Sequence, residues 1–139
     1  MRDALTSAGT IAVVGLSDKP DRDSYVVARY LQEQGYRIVP VNPAVPSVLG
    51  ERSYPSLGAI PTEIRVDMVD IFRRSEQVPP IVEEAMARRV PVVWMQLGVE
   101  HAAAAATARA AGLLVVENRC VRVEHQRLGV PPRAPRSAP

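Results

Sequence analysis

The segment from Ile11 to Leu31 most strongly limits the fold of this chain, because it changes from the pattern of a strand to that of a helix across one short loop. An apolar run with β-branched residues stops at Gly15. A polar stretch that contains Lys19 follows, and apolar residues then recur at helical spacing. The pattern predicts a buried strand, a tight glycine loop and a helix, which together form a typical unit of an α/β fold.

The loop has the features of an anion site. Gly15 permits backbone torsions that other residues avoid, and free N–H groups stand at the N-terminus of the next helix, where Asp23 or Ser24 can act as the cap. We therefore expect a nucleotide pyrophosphate here. The alternative is that Gly15 only makes the corner, because a dinucleotide fingerprint has three glycines and Ser17 occupies the second position. Ser17 still offers a backbone N–H and a hydroxyl, so anion binding is compatible with this departure.

Further strands and helices alternate along the chain. Strands are predicted at 10–14, 37–41, 66–72, 91–95 and 113–116, and helices at 24–34, near 79–86, at 101–111 and within 118–128. This alternation predicts an α/β Rossmann-like three-layer fold with a five-stranded parallel sheet of order 3-2-1-4-5. That order places the ligand crevice at the carboxyl ends of the first and fourth strands.

Length and composition indicate one domain over residues 1–128. The segment 129–139 ends in the run P-P-R-A-P-R-S-A-P, which has nothing to bury, so we expect it to be a disordered tail. Seventeen basic and fifteen acidic residues give a net charge of +2 without clustering, and aromatic residues are few, so no nucleic-acid partner is expected. Neither a signal peptide nor a membrane-spanning run is evident. We therefore expect a cytoplasmic protein with no membrane partner.

The candidate reactive side chains do not form a catalytic pattern. Cys120 is the only cysteine, which excludes an internal disulfide and a cysteine-rich metal site, and we predict no metal. His101 and His125 are not arranged with a nucleophile, so we predict no catalytic residue and interpret both as surface or capping residues. Cys120 is either a buried structural residue or, because Arg119 and Arg122 flank it, a reactive thiol. Four carboxylates are interpreted as strand-end or solvated helix residues: Asp67, Asp70, Glu83 and Glu84.

The end of the second strand bears on which nucleotide binds. In NAD-binding folds this strand ends on an Asp or Glu that accepts a hydrogen bond from the ribose 2′-hydroxyl. Here it ends on Asn42 and Pro43. An uncharged side chain before a rigid proline cannot take that role, but it leaves room for a ribose that carries a phosphate. The alternative is that Asn42 and Pro43 only form a turn.

Five segments together resemble the CoA-binding domain family, the small stand-alone bacterial Rossmann-like proteins akin to the N-terminal domain of the succinyl-CoA synthetase alpha subunit. They occur in family order within residues 10–128. The segments are V-V-G-L-S-D-K-P-D-R-D-S-Y at 13–25, G-Y-R-I-V-P-V-N-P at 35–43, V-D-I-F-R-R at 69–74, W-M-Q-L-G-V at 94–99 and E-N-R-C at 117–120.

The resemblance implies coenzyme A as the ligand in place of NAD. By this resemblance Gly15, Ser17 and Lys19 would hold the pyrophosphate, while Asn42 and Pro43 would border the adenosine 3′-phosphate end. Further contacts would come from the ends of the third and fourth strands, at Ile71, Phe72, Arg73, Gln96 and Gly98.

The resemblance also bears on catalysis. In the synthetase, the chemistry needs a phosphorylated histidine on a separate downstream domain, for which this chain has no room. We therefore expect a non-catalytic protein that holds CoA or acyl-CoA. Two alternatives stay open at this point. One is an NAD(P)-binding regulatory domain, which Asn42 and the missing glycines disfavour, and the other is a small acyl-CoA enzyme whose reactive group would be Cys120.

Overall fold

One parallel sheet with helices on both faces forms the architecture of the chain. The computed structural model describes residues 1 to 133. The sheet strands are β1 (Thr10–Val14), β2 (Arg37–Val41), β3 (Met68–Ile71), β4 (Val92–Met95) and β5 (Leu114–Val116). The helices are α1 (Arg2–Ser7), α2 (Asp23–Glu33), α3 (Val78–Ala87), α4 (Ala102–Ala110) and α5 (Val121–Arg127). The predicted α/β Rossmann-like class and the five parallel strands are confirmed.

The predicted order of the strands is wrong. β3 pairs with the free side of β1, with Ile11 beside Met68, so the order is β2-β1-β3-β4-β5 in place of 3-2-1-4-5. The physical reason is Pro40 in β2, which has no N–H to donate to a second neighbour and therefore suits an edge strand. The predicted order would have placed β2 between two strands. The point at which the chain changes direction, and thus the crevice, lies between β1 and β3.

Alternating side chains of β1 contribute to two apolar cores. Ile11 and Val13 face the core beneath α1, α2 and α5, whereas Ala12 and Val14 face the core beneath α3 and α4. All five residues of the strand are buried, as expected for a central strand that is covered on both faces. In residues 1 to 133 no helix is both long enough and apolar enough to cross a membrane.

The chain between β2 and β3 is a long excursion over the carboxyl edge of the sheet. It contains a short antiparallel ribbon, Ser47–Val48 with Glu51–Arg52, and a single 3-10 turn, Leu57–Ala59. The guanidinium of Arg88, which follows α3, donates hydrogen bonds to four main-chain carbonyls of this excursion at 2.7 to 3.4 Å, those of Leu57, Ile60, Pro61 and Ile64. The Arg88 side chain at the end of α3 therefore holds a segment that has little secondary structure of its own.

The first residues of the predicted tail pack against the domain. Val130 is buried, and the N–H of Arg133 donates to the carbonyl of Gln34 at 2.7 Å. The guanidinium of Arg133 also donates to the carbonyl of Thr6. Residues 129 to 133 thus lie across the ends of α1 and α2, and the rest of the predicted tail, 134 to 139, lies outside the described residues.

Candidate functional site

Three adjoining hollows lie at the carboxyl edge of the sheet around the β1–β3 switch point. The loop hollow, about 420 Å³, lies over the β1–α2 loop and is lined by Gly15, Ser17, Lys19, Arg22, Ser24 and Phe72 among others. The edge hollow, about 690 Å³, is lined by Phe72, Arg73, Arg74, Gln77, Gln96, Leu97 and Val99. The apolar crevice, about 550 Å³, lies on the α3 side. The loop and edge hollows share Phe72, and the edge hollow and the crevice share Arg73 and Gln77.

The structure brings seven of the ten predicted site residues to these hollows, namely Gly15, Ser17, Lys19, Pro43, Phe72, Arg73 and Gln96. The remaining three are Asn42, Ile71 and Gly98. Ile71 is fully buried at the end of β3, so its side chain belongs to the core. The Gly98 N–H donates to the Oδ1 of Asn118 at 2.7 Å.

Gly15 is required by the protein itself. It has φ of 87° and lies so close to β3 that a Cβ added there would overlap the carbonyl oxygen of Phe72. The same Cβ position is 3.3 Å from the Nε of Arg73. The close approach of the two strand ends therefore gives a structural reason for glycine, and it places Arg73, which lines the edge hollow and the apolar crevice, beside the glycine loop.

Hydrogen bonds within the loop hold its polar groups in place. The Ser17 N–H donates to the Oγ of Ser24 at 3.0 Å, and the Ser17 Oγ accepts from the Lys19 N–H at 3.1 Å. Neither Asp23 nor Ser24 caps α2, because the helix begins after Arg22, which makes no side-chain cap bond. The first turn of α2 thus keeps uncapped N–H groups and the positive end of the helix dipole, which suit an anion.

Asn42 connects two loops of the site. Its Nδ2 donates to the carbonyl of Leu16 at 3.0 Å, and its Oδ1 accepts from the N–H of Ala44 at 2.9 Å. These bonds correspond to the turn interpretation of Asn42 and Pro43. They also fix the end of β2 against the glycine loop, while Pro43 lines the apolar crevice. No carboxylate stands at the position where an NAD-binding fold has one.

Sequence reasoning missed the outer wall of the apolar crevice. Besides Val14, Val41 and Pro43, the crevice is lined by residues of the β2–β3 excursion and of α3, including Pro55, Ser56, Leu57, Ile81 and Glu84. Glu84 was interpreted as a solvated helix residue, but it is half-buried here. The available signal was that α3 begins within a few residues of the end of β3, which directs its first turns toward the site.

Asp70 lies inside the sheet and not at a strand end, which corrects the interpretation of this residue. It is fully buried in β3 between Val13 and Trp94, and neither carboxylate oxygen has a hydrogen-bond partner among residues 1 to 133. Burial in an apolar environment raises the pKa of the Asp70 carboxyl well above its usual range. The group is therefore strongly biased toward its neutral form.

The two histidines and the cysteine are not assembled into a catalytic group. His101 caps α4, since its Nδ1 accepts from the Ala104 N–H at 3.1 Å. His125 is not at the surface but buried, with Nδ1 2.6 Å from the Tyr30 hydroxyl, and burial lowers its pKa. Cys120 is partly exposed just before α5. Within the described part of the chain, no three His, Cys, Asp or Glu side chains gather in a way that could hold a metal ion.

Comparison with known proteins gives consistent matches over most of the chain. A family model described as a CoA binding domain matches residues 9 to 126. The uncharacterized protein YneT of Bacillus subtilis (strain 168) is 40% identical over 125 residues, which cover 90% of this chain and 91% of YneT. A solved structure of a hypothetical protein from Pyrococcus horikoshii OT3 is 42% identical with a TM-score of 0.87, covering 91% of this chain and 88% of that one. A Thermus thermophilus structure is 40% identical with a TM-score of 0.86, covering 91% and 95%.

Proposed function

Because the chain belongs to the CoA binding domain family, we propose that it holds coenzyme A or an acyl-CoA at the carboxyl edge of the sheet, without turnover of its own. The observation that supports this proposal is the chemical difference between the three adjoining hollows. An anion loop, an apolar crevice and an open edge hollow meet at Phe72 and Arg73. CoA likewise combines a pyrophosphate, a purine base and a long pantetheine arm.

Each part of CoA is assigned to the hollow whose chemistry suits it. The pyrophosphate lies on the loop of Gly15, Ser17 and Lys19, where the uncapped first turn of α2 supplies N–H donors. The adenine base enters the apolar crevice, and the 3′-phosphate lies toward its rim at Pro43. The pantetheine arm then runs along the edge hollow past Phe72, toward Gln96 and the exposed Leu97.

A non-catalytic role is proposed because both histidines are committed to structural contacts, which leaves Cys120 without a base beside it in a catalytic pattern. The Nδ1 of His101 accepts a helix N–H, and His125 is buried beside Tyr30. Gln96 is buried in the edge hollow, and its Oε1 accepts from the Val121 N–H at 3.0 Å. Incubation with acetyl-CoA and analysis of the products tests this part of the proposal, because an acyl-CoA enzyme would consume the thioester.

CoA is expected to raise the melting temperature, whereas NAD at the same concentration is not. A ligand that binds only the native state stabilises it by about 2.7 kcal/mol at a concentration 100 times its Kd. Dephospho-CoA should bind less tightly than CoA because it lacks the 3′-phosphate. Calorimetric titration with the three ligands checks the ranking, and equal responses to NAD and CoA would rule out the assignment of CoA.

Lys19→Ala is expected to weaken CoA binding roughly fivefold, since an exposed ammonium–phosphate contact contributes about 1 kcal/mol. Its loss should leave the melting temperature of the free protein unchanged, because Lys19 is exposed. The difference from wild type should shrink at high salt. Arg29→Ala, which removes an exposed charge of α2 outside the three hollows, is the matched control. Unaltered CoA affinity in a folded Lys19→Ala protein would mean that the lysine does not contact the ligand.

A further inference from the structure

The apolar crevice contains one half-buried carboxylate, that of Glu84 in α3. Its walls are mainly apolar, formed by Val14, Val41, Leu57 and Ile81 together with prolines. Glu84 of α3 lines the same crevice. Because a carboxylate in an apolar hollow loses hydration, its remaining acceptor positions favour a ligand group that donates hydrogen bonds.

Glu84 is held in place by the outer wall of the crevice. Its Oε2 accepts from the Gly58 N–H at 3.0 Å. Gly58 has no side chain, and a Cβ added there would lie 3.2 Å from the same oxygen. One turn further along the chain, the Arg88 guanidinium donates to the carbonyls of Leu57 and Ile60, which lie before and after Gly58 in the sequence. The carboxylate and the wall therefore behave as one unit.

The hydrogen bond from Gly58 leaves acceptor capacity on Glu84 unused. An ionised carboxylate has about four lone-pair sites and no donor, and this bond occupies one of them. The crevice is also lined by the exposed Glu76, so two carboxylates accompany the single guanidinium of Arg73. Beside Glu84, away from the rim at Pro43, this balance of charge disfavours a phosphate and favours an amino group.

We propose that Glu84 is a specificity-determining residue that accepts a hydrogen bond from the 6-amino group of adenine, and that it thereby selects an adenine nucleotide over a 6-oxo purine nucleotide; this rests on the proposed function. Adenine carries its exocyclic N–H donors at position 6. Hypoxanthine carries a carbonyl oxygen there, which the carboxylate repels. A site with one charged acceptor therefore attracts adenine through a hydrogen bond and repels hypoxanthine through its carbonyl oxygen.

The experiment measures how tightly ADP and IDP displace bound CoA from the full chain. Titration calorimetry is the readout. Wild type is expected to bind ADP about 10- to 100-fold more tightly than IDP, the range for one hydrogen bond to a charged group. Glu84→Gln keeps an oxygen that accepts from the Gly58 N–H and can also accept from the amino group of adenine. Its amide N–H can donate to the carbonyl of hypoxanthine, so neither base is favoured. Its ratio of ADP to IDP affinity is expected to fall to within about threefold of one.

Two matched variants assign the effect to Glu84. Glu83→Gln makes the same change at an exposed neighbour on α3 that does not line the crevice, and Glu76→Gln makes it at the exposed rim. Glu83→Gln is expected to keep the wild-type ratio, and Glu76→Gln is expected to lower the ratio less than Glu84→Gln does. Loss of discrimination in Glu76→Gln with its retention in Glu84→Gln would overturn the assignment.

Failure of this inference is distinguishable from failure of the proposed function. If CoA itself does not bind to wild type, the proposed function fails. If CoA binds and ADP displaces it no better than IDP, only the role of Glu84 fails. The wild-type comparison needs no variant, so equal affinities for ADP and IDP would overturn the role of Glu84 even if Glu84→Gln does not fold.

Discussion

Gly15→Ala is expected to destabilise the protein by about 2 to 5 kcal/mol, the sum of a left-handed backbone conformation for a non-glycine residue and of overpacking. The new Cβ would overlap the carbonyl oxygen of Phe72, which is main chain and cannot rotate away. Relief requires β1 and β3 to separate at their carboxyl ends. Because that separation opens the switch point, CoA binding should be lost together with stability.

Gly98→Ala is the matched control for this prediction. Gly98 has the same φ of 87°, but a Cβ there would meet no atom within 4 Å. Gly98→Ala should lower the free energy of unfolding only through the left-handed backbone conformation, by about 1 to 2 kcal/mol. Denaturant unfolding of the two variants separates strain from steric overlap. A Gly15→Ala protein no less stable than Gly98→Ala would show that the overlap with Phe72 is relieved at no cost.

Asp70→Asn is expected to stabilise the protein at neutral pH, with a gain that grows as the pH rises. Burial raises the pKa of the Asp70 carboxyl in the folded state, so the folded protein binds the proton that the unfolded chain releases. Below the pKa of the carboxyl in the unfolded chain, near 3.9, Asp70 is neutral in both states and adds no ionisation cost to the folded state. As the pH rises from there toward the pKa in the folded state, the free energy of unfolding falls. The slope is at most about 1.4 kcal/mol per pH unit.

Melting temperatures of wild type and Asp70→Asn between pH 4 and pH 9 test this expectation. The two curves should nearly meet at pH 4 and diverge above it. Asp67→Asn provides a contrast of opposite sign, because the Oδ2 of Asp67 accepts from the N–H groups of Gly9 and Thr10 at 2.9 Å. That variant should be less stable than wild type. If Asp70→Asn is less stable across the whole range, the Asp70 carboxylate is stabilised by a partner.

The β1–loop–α2 unit could be predicted because its pattern is local. The apolar run of β1, Gly15 and the apolar stripe of α2 lie within about two dozen residues and require no distant contact. The order of the sheet depends on which edge of β1 the third strand reaches, and periodicity carries no such information. Pro40 did indicate the strand order, since a proline in the second strand is incompatible with an interior position in the sheet.

The site divides in the same way. Gly15, Ser17 and Lys19 belong to a continuous motif, so the loop that they form could be predicted from the sequence. The crevice wall was not, because its position depends on Arg88 binding the carbonyls of a segment more than twenty residues earlier. Asp70 was misplaced because a charged residue in a strand normally lies at its end. Its burial follows from helices that cover both faces of β3, which no local pattern reports.

The central position of β1 has a consequence for synthesis on the ribosome. β1 and β2 emerge early and can pair, but the other edge of β1 has to wait for β3. Asp67, which immediately precedes β3 and accepts from the Thr10 N–H, follows Thr10 by 57 residues. Until then an apolar strand presents unpaired backbone groups to other chains, which is a known route to aggregation. The time during which this edge of β1 is unpaired ends only when β3 has left the exit tunnel. The speed of translation across the excursion between β2 and β3 therefore sets the duration of that exposure.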